Sequence, residues 1–150
     1  MKKAIVIYDT IYGNTEKVAK ALASGMSEQG VQVDSISVQK VDINRLKEYD
    51  LLAIGGPTHA FGISKPMKGF LKKLKNVEEV KGKKAFAFDT RIKFRFAGSA
   101  AKKIEKELKK LRMNIVRSSS SAIVLGGEGP LEEGTEDKFR QIAGEIAKLI

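Results

Sequence analysis

Residues 9–16 read Asp9-Thr10-Ile11-Tyr12-Gly13-Asn14-Thr15-Glu16, between the apolar run Ala4–Ile7 and a segment whose apolar residues Val18, Leu22 and Met26 recur at helical spacing. A helix starting here presents unpaired N–H groups and a partial positive charge to whatever lies in front of it. Gly13 permits a tight backbone turn, and Thr10, Asn14 and Thr15 add uncharged donors, so a phosphate can be enclosed without Lys or Arg. The same residues also suit an ordinary capped helix, with Asn14 or Thr15 as N-cap and Gly13 as turn residue. One glycine does not make the G-x-G-x-x-G turn of a dinucleotide site, and no G-x-x-x-x-G-K-[ST] triphosphate cradle occurs in the chain. A mononucleotide phosphate therefore fits this loop better than NAD or ATP.

Two further polar stretches follow apolar runs in the same way. Gly55-Gly56-Pro57-Thr58-His59 comes straight off Leu51–Ile54, and Asp89-Thr90-Arg91 comes off Ala85–Phe88. Strand-length apolar runs alternate with amphipathic segments along the chain, a βα rhythm with no other repeat. The candidate strands are Lys3–Tyr8, Val31–Val38, Asp50–Gly55, Lys84–Phe88 and a less regular region from Asn114 to Leu125. Ala4–Ile7, Leu51–Ile54 and Ala85–Phe88 are continuously apolar, as expected of central strands covered by helices on both faces. Val31-Gln32-Val33 alternates, which predicts a half-exposed edge. Helical stripes run through Val18, Leu22 and Met26; Met67, Phe70, Leu71 and Leu74; Ala101, Ile104, Leu108 and Leu111; and Phe139, Ile142, Ala143 and Ile146. Val41–Tyr49 is a weaker helical segment with Asp42 as its N-cap, and Ser118–Ser121 reads as an exposed strand edge or loop. In an open doubly wound sheet, ligands bind outside the carboxyl ends of the strands where the strand order reverses. The loops 9–15, 56–65 and 89–96 are accordingly where chemistry is expected.

Taken together, these motifs resemble a known family. Thr10-x-Tyr12-Gly13-Asn14-Thr15 looks like the phosphate loop of flavodoxins, and Tyr8 through Lys17 is similar to the flavodoxin-like domain of flavodiiron proteins. Gly55-Gly56-Pro57-Thr58-His59 resembles the Gly-(Ser/Gly)-Pro-Thr-(Tyr/Trp) turn that walls the family's isoalloxazine pocket. Asp89-Thr90 stands where the family has an acidic-hydroxyl pair, and Phe96-Ala97-Gly98-Ser99 resembles the start of its fourth helix. The resemblance spans essentially the whole chain. It implies an α/β fold, a five-stranded parallel sheet of order 2-1-3-4-5 with helices on both faces, as a single domain over residues 1–150.

It also implies FMN as cofactor. Thr10, Ile11, Tyr12, Gly13, Asn14 and Thr15 would hold its phosphate; Pro57, Thr58, His59, Ala60, Phe61 and Gly62 would line one side of the ring, and Asp89, Thr90 and Arg91 the other. His59 stands where the family places Tyr or Trp, with Phe61 the nearest aromatic. The third loop has no Tyr, leaving Ile92, Phe94 or Phe96 to stack. By the same resemblance the Phe61–Gly62 peptide carbonyl turns toward flavin N5, a turn that glycine at 62 tolerates at positive φ. His59 could equally be a loop histidine with no role, and one of Phe94 and Phe96 could be core.

Composition narrows the function. In 150 residues there is no cysteine and one histidine, which excludes disulfides, thiolate catalysis, iron–sulfur clusters and a multi-histidine metal site. Redox chemistry must come from something bound. The paired acids Glu78–Glu79 and Glu132–Glu133 flank turns and read as solvated surface. No apolar run approaches a membrane span or a signal-peptide core, so the chain reads as soluble and cytoplasmic, without a membrane partner. The net charge of +10 sits in one block: residues 65–117 hold 18 Lys+Arg against 5 Asp+Glu, while residues 1–64 are balanced and 118–150 hold 3 against 6. The lysines at 102, 103, 106, 109 and 110 alternate with Glu105 and Glu107 as on a solvated face, and no interleaved aromatics support nucleic-acid binding. High Lys and Glu with no Cys also fits a thermophilic source.

The leading expectation is an FMN-dependent electron carrier, monomeric or weakly dimeric, that docks briefly with redox partner proteins bearing acidic surfaces. The alternatives are a flavin-dependent NAD(P)H or quinone reductase, and a basic binding module with a vestigial flavin pocket.

Overall fold

A computed structural model describes residues 1–59, 62–93 and 98–150. Its centre is the apolar runs: β1 (Lys3–Tyr8), β3 (Leu51–His59) and β5 (Lys84–Ile92) lie side by side and parallel, with β2 (Gln32–Ser37) on the far side of β1. The chain leaves β1 through α1 (Asn14–Glu28) to β2, and then crosses back past β1 to β3. Parallel neighbours require such crossovers, and the reversal beside β1 leaves a crevice at the strand ends.

The sheet differs from the expected five strands at two places. β4 (Gly62–Ile63) folds back antiparallel on Thr58 and His59. The fifth strand is interrupted: β6 (Asn114–Ile115) pairs with Lys84–Ala85, and β7 (Ser120–Val124) pairs with Phe88–Ile92, both parallel to β5. The polar stretch around Ser118 and Ser119 has no apolar residues to hold a continuous ladder. The parallel order is otherwise the expected one, β2-β1-β3-β5-β6, with the alternating β2 at the edge.

Side-chain alternation sorts the core into two layers. Ala4, Val6, Phe86 and Phe88 face α1 and α4 (Thr135–Ala147), where Phe88 meets Phe139 edge-on with centroids 6.5 Å apart. Ile5, Ile7, Ala85 and Ala87 face α2 (Lys65–Leu74) and α3 (Ala100–Lys110). Val41–Tyr49 forms a 310 segment, Ile43–Glu48, rather than an α-helix; Asp42 caps it as expected, its carboxylate accepting from Asn44 N–H at 3.0 Å. Tyr49 is buried behind that segment and donates its hydroxyl to Asp34. Burial, reinforced by the Asp34 carboxylate, pushes the Tyr49 phenol up to about 12.

Candidate functional site

The loop after β1 is tightened by its own residues. Gly13 adopts φ 88°, a left-handed conformation that a side chain would strain, and serves as N-cap of α1. Its N–H donates to Thr10 Oγ1 at 2.9 Å. Asn14 and Thr15 are therefore the first helical residues, not the cap, and the helix start is not satisfied by a capping side chain. Thr15 is buried and its hydroxyl lies 2.9 Å from that of Thr90, which ties the first loop to the third. The Thr10 hydroxyl already accepts from Gly13, so its proton remains to be donated outward.

The second and third stretches are strand ends rather than loops. Gly56 and Pro57 pair with Asp89 and Thr90, so β3 and β5 each run about four residues past their apolar cores. β4 on one side and β7 on the other supply the ladder partners that the apolar runs alone did not announce.

These ends enclose a cleft of about 580 Å³. Thr10, Ile11, Tyr12, Asn14 and Thr15 line it from the first loop, Pro57, Thr58 and His59 from the second, and Thr90, Arg91 and Ile92 from the third. Ile11 and Tyr12 are 53% and 58% exposed, an apolar and an aromatic side chain at the mouth with no partner layer over them.

Three expected positions behave differently. The Asp89 side chain is fully buried and points away from the cleft: its Oδ2 accepts from Thr58 Oγ1 (3.1 Å), Ser99 Oγ (2.7 Å) and Ala101 N–H (2.9 Å). With Ser99 as the N-cap of α3, Asp89 brings a negative charge to that helix start and clasps it to β3 and β5. Gly13 shapes the loop by its backbone without lining the cleft. Gly62 lies in β4, outside the lining and without positive φ. Ala60, Phe61, Phe94, Phe96 and Ala97 lie outside the described residues, and with them the Phe61–Gly62 peptide.

A fourth wall was not expected from the sequence. Val124 and Gly127 line the cleft from the loop after β7. This loop is closed at its neck, where Leu125 N–H donates to the Pro130 carbonyl (2.9 Å) and Glu132 N–H to that of Ile123 (2.8 Å). Its tip rests on the first loop: Asn14 Nδ2 donates to the Glu128 carbonyl at 3.1 Å. Gly129 has φ 113°, and a Cβ there would come within 2.9 Å of Asn14 Oδ1. The run Gly126-Gly127-Glu128-Gly129-Pro130 is the signal that points to it. A glycine-rich segment leaving the last strand at the ligand edge is placed to approach a ligand by its backbone.

The cleft is chemically mixed. A helix start and neutral hydroxyls suit a phosphate, and Pro57, Ile92, Val124 and Tyr12 suit a flat apolar ring. Arg91 adds a cation at the third wall.

Comparison with known proteins agrees. A family model described as Flavodoxin matches residues 6–142. "Probable flavodoxin 2" of Bacillus subtilis is 31% identical in an alignment of 149 positions that covers 95% of this chain and 95% of the other. An uncharacterised protein of Methanocaldococcus jannaschii is 29% identical over 97% of this chain but only 37% of its own length. The chain thus spans little more than a third of that relative. Among solved structures, a flavodoxin from the domain Archaea superposes with a TM-score of 0.83 at 24% identity, covering 98% of this chain and 97% of the other. The flavodiiron protein of Giardia intestinalis gives 0.81 at 20%, covering 99% of this chain and 36% of its own. The chain belongs to the flavodoxin family. FMN is the cofactor of that family.

Proposed function

We propose that this chain binds FMN non-covalently in the four-walled cleft and carries electrons between redox partner proteins. The observation that carries the reading is the meeting, in one cleft at the reversal point of the sheet, of a helix start without a capping side chain, Thr10 and Thr15, and apolar lining open at Tyr12. The helix start and the Thr10 hydroxyl would hold the phosphate; Pro57, Thr58 and His59 would flank one face of the ring, and Thr90, Arg91 and Ile92 the other. The flavin, when bound, supplies the one- and two-electron chemistry.

The residues of the chain do the rest. The Thr15–Thr90 hydroxyl pair keeps the two walls in register, and Asp89 fixes the outer ends of β3 and β5 from behind. Arg91 lines the third wall and the exposed Lys93 follows it, and their positive charge would favour a reduced, anionic flavin and acidic partner surfaces. Among the described residues no helix is long and apolar enough to cross a membrane, so the reading invokes no membrane-spanning segment.

The test is the absorption spectrum of the purified protein and the mass of whatever heat releases. A yellow protein releasing FMN is expected; a colourless one that fails to quench added FMN fluorescence overturns the proposal. Steady-state NAD(P)H oxidation should be negligible without a partner, and robust turnover would make the protein a reductase instead. Thr10→Val should weaken FMN roughly ten- to a hundredfold while hardly affecting riboflavin, which lacks the phosphate.

A further inference from the structure

The second large concavity of the molecule lies outside the cleft, between α2 and residues 38–47. It is a groove of about 660 Å³, with Val38, Val41, Ile43, Phe70 and Val77 along it and Lys47 and Lys73 at its rim; Glu79 also lines it. The face that α2 turns to the groove is Pro66, Gly69, Phe70 and Lys73, one stripe at helical spacing.

Helix α2 breaks several rules of helix stability, and of its lysines Lys73 lines the groove while the others flank it on the exposed surface. The helix carries Lys65, Lys68, Lys72 and Lys73, with Lys75 at its C-cap, and no acidic residue. All five lysines are exposed, and none pairs with an acid among the described residues. Lys72 and Lys73 stand in the last turn, where the helix dipole favours them, but Lys65 and Lys68 stand in the first, where it opposes cations, and Lys68 and Lys72 are i,i+4 neighbours of like charge. By contrast, Lys109 and Lys110 of α3 pair with Glu105 and Glu107. Gly69 then weakens the middle of a ten-residue helix although a Cβ there would meet nothing within 4 Å. Local rules broken together, with no gain inside the fold, mark a surface shaped for something outside it.

We infer that this groove and the uncompensated lysines of α2 form a docking surface for an acidic polypeptide segment with spaced apolar side chains. Gly69 leaves room for an apolar anchor to reach Phe70 and Ile43, and the lysines attract the acidic residues between anchors. The groove favours a polypeptide over a nucleic acid because its apolar wall needs apolar partners and α2 exposes no aromatic ring for a base to stack on. A concave seat also does not insert into a bilayer as an apolar ridge would. The surface does not depend on the FMN reading, since none of its residues lines the flavin cleft.

The test uses the full chain, isotope-labelled and supplemented with FMN, and a short synthetic peptide in which pairs of Glu alternate with Leu. Backbone amide shifts should cluster in 38–47 and 66–77. Gly69→Leu, which fills the groove, should weaken this peptide roughly tenfold or more and leave a Ser-for-Leu control peptide unchanged. The triple variant Lys68→Gln, Lys72→Gln, Lys73→Gln should weaken both peptides and flatten their salt dependence. FMN fluorescence quenching by each variant reports an intact fold. Shifts centred on 10–15 and 90–92, undiminished binding by Gly69→Leu, or tighter binding of oligouridylate or phosphatidylglycerol vesicles than of the peptide would each overturn the inference.

Discussion

Gly25, in the last turn of α1, and Gly69, in the middle of α2, sit on opposite faces of one sheet. A methyl group on the first would lie 2.5 Å from the Arg140 carbonyl oxygen and 2.7 Å from the Ala143 Cβ, while on the second it would touch nothing within 4 Å. The layer of α1 and α4 is thus built by close approach around Leu22, Phe139, Ile142 and Ile146, with bases and acids nearly balanced on its helices. The layer of α2 and α3 is basic, and its helix starts are held by polar clasps, Ser64 to Asp9 at 2.6 Å and Ser99 to Asp89 at 2.7 Å. Helix pressed on helix holds one side of the molecule; on the other, α2 and α3 each pack on the sheet through their own apolar stripes, and hydrogen bonds at the cleft edge hold their starts. An interaction surface is expected on the side whose helices are not pressed together.

The comparison is most easily broken at Asp89. Asp89→Ala should cost about 3–5 kcal/mol in urea unfolding, because buried donors left without a partner cost about 1–3 kcal/mol each and three converge on Oδ2. Asp89→Asn keeps an acceptor and should lose only about 1 kcal/mol with the charge at the α3 start. Equal losses for the two variants would mean that packing, not the clasp, seats that helix. On the side of α1 and α4, Gly25→Ala should cost about 1–3 kcal/mol, since a backbone carbonyl cannot move aside cheaply; a neutral result would show that α1 and α4 have slack.

Alkaline unfolding probes the basic side again. The folded Tyr49 phenol titrates at about 12 against 10.0 unfolded, so its contribution is complete below pH 10 and is lost as the pH rises through about 12. Tyr49→Phe should flatten stability across that window, as followed by circular dichroism in a pH series. The smallest effect is expected from Gly69→Ala, a gain of about 0.5–1 kcal/mol from helix propensity in open space. Destabilisation there would place an unseen constraint in the groove.

The central strands, the edge strand and the helical stripes were legible because burial on two faces writes a continuous apolar run and burial on one writes an alternation. The first loop was legible as a cleft wall because it is a strand–helix junction at the strand ends, where the order of the sheet reverses. The extensions of β3 and β5 were not, since Pro57, Thr58 and Asp89 to Arg91 read as polar loop until β4 and β7 supply their ladder partners. Asp89 was drawn toward the ring by its position, yet the donors that turn it inward come from Ser99 and Ala101, ten and twelve residues on. The wall at Val124 and Gly127 escaped because its lining combines strand end and glycine backbone, with no side-chain signature at Gly127.

The Asn14–Glu128 bond joins positions 114 residues apart. Contacts of such separation form late in folding, after the loop-closure entropy of the intervening chain has been met. During vectorial synthesis the first three walls emerge well before the fourth, so an amino-terminal segment ending before β7 has a helix start and two strand ends but no closed cleft. Closure of the cleft in this topology therefore waits for β7 and the loop after it, and the pairing of β1, β3 and β5 does not depend on that fourth wall.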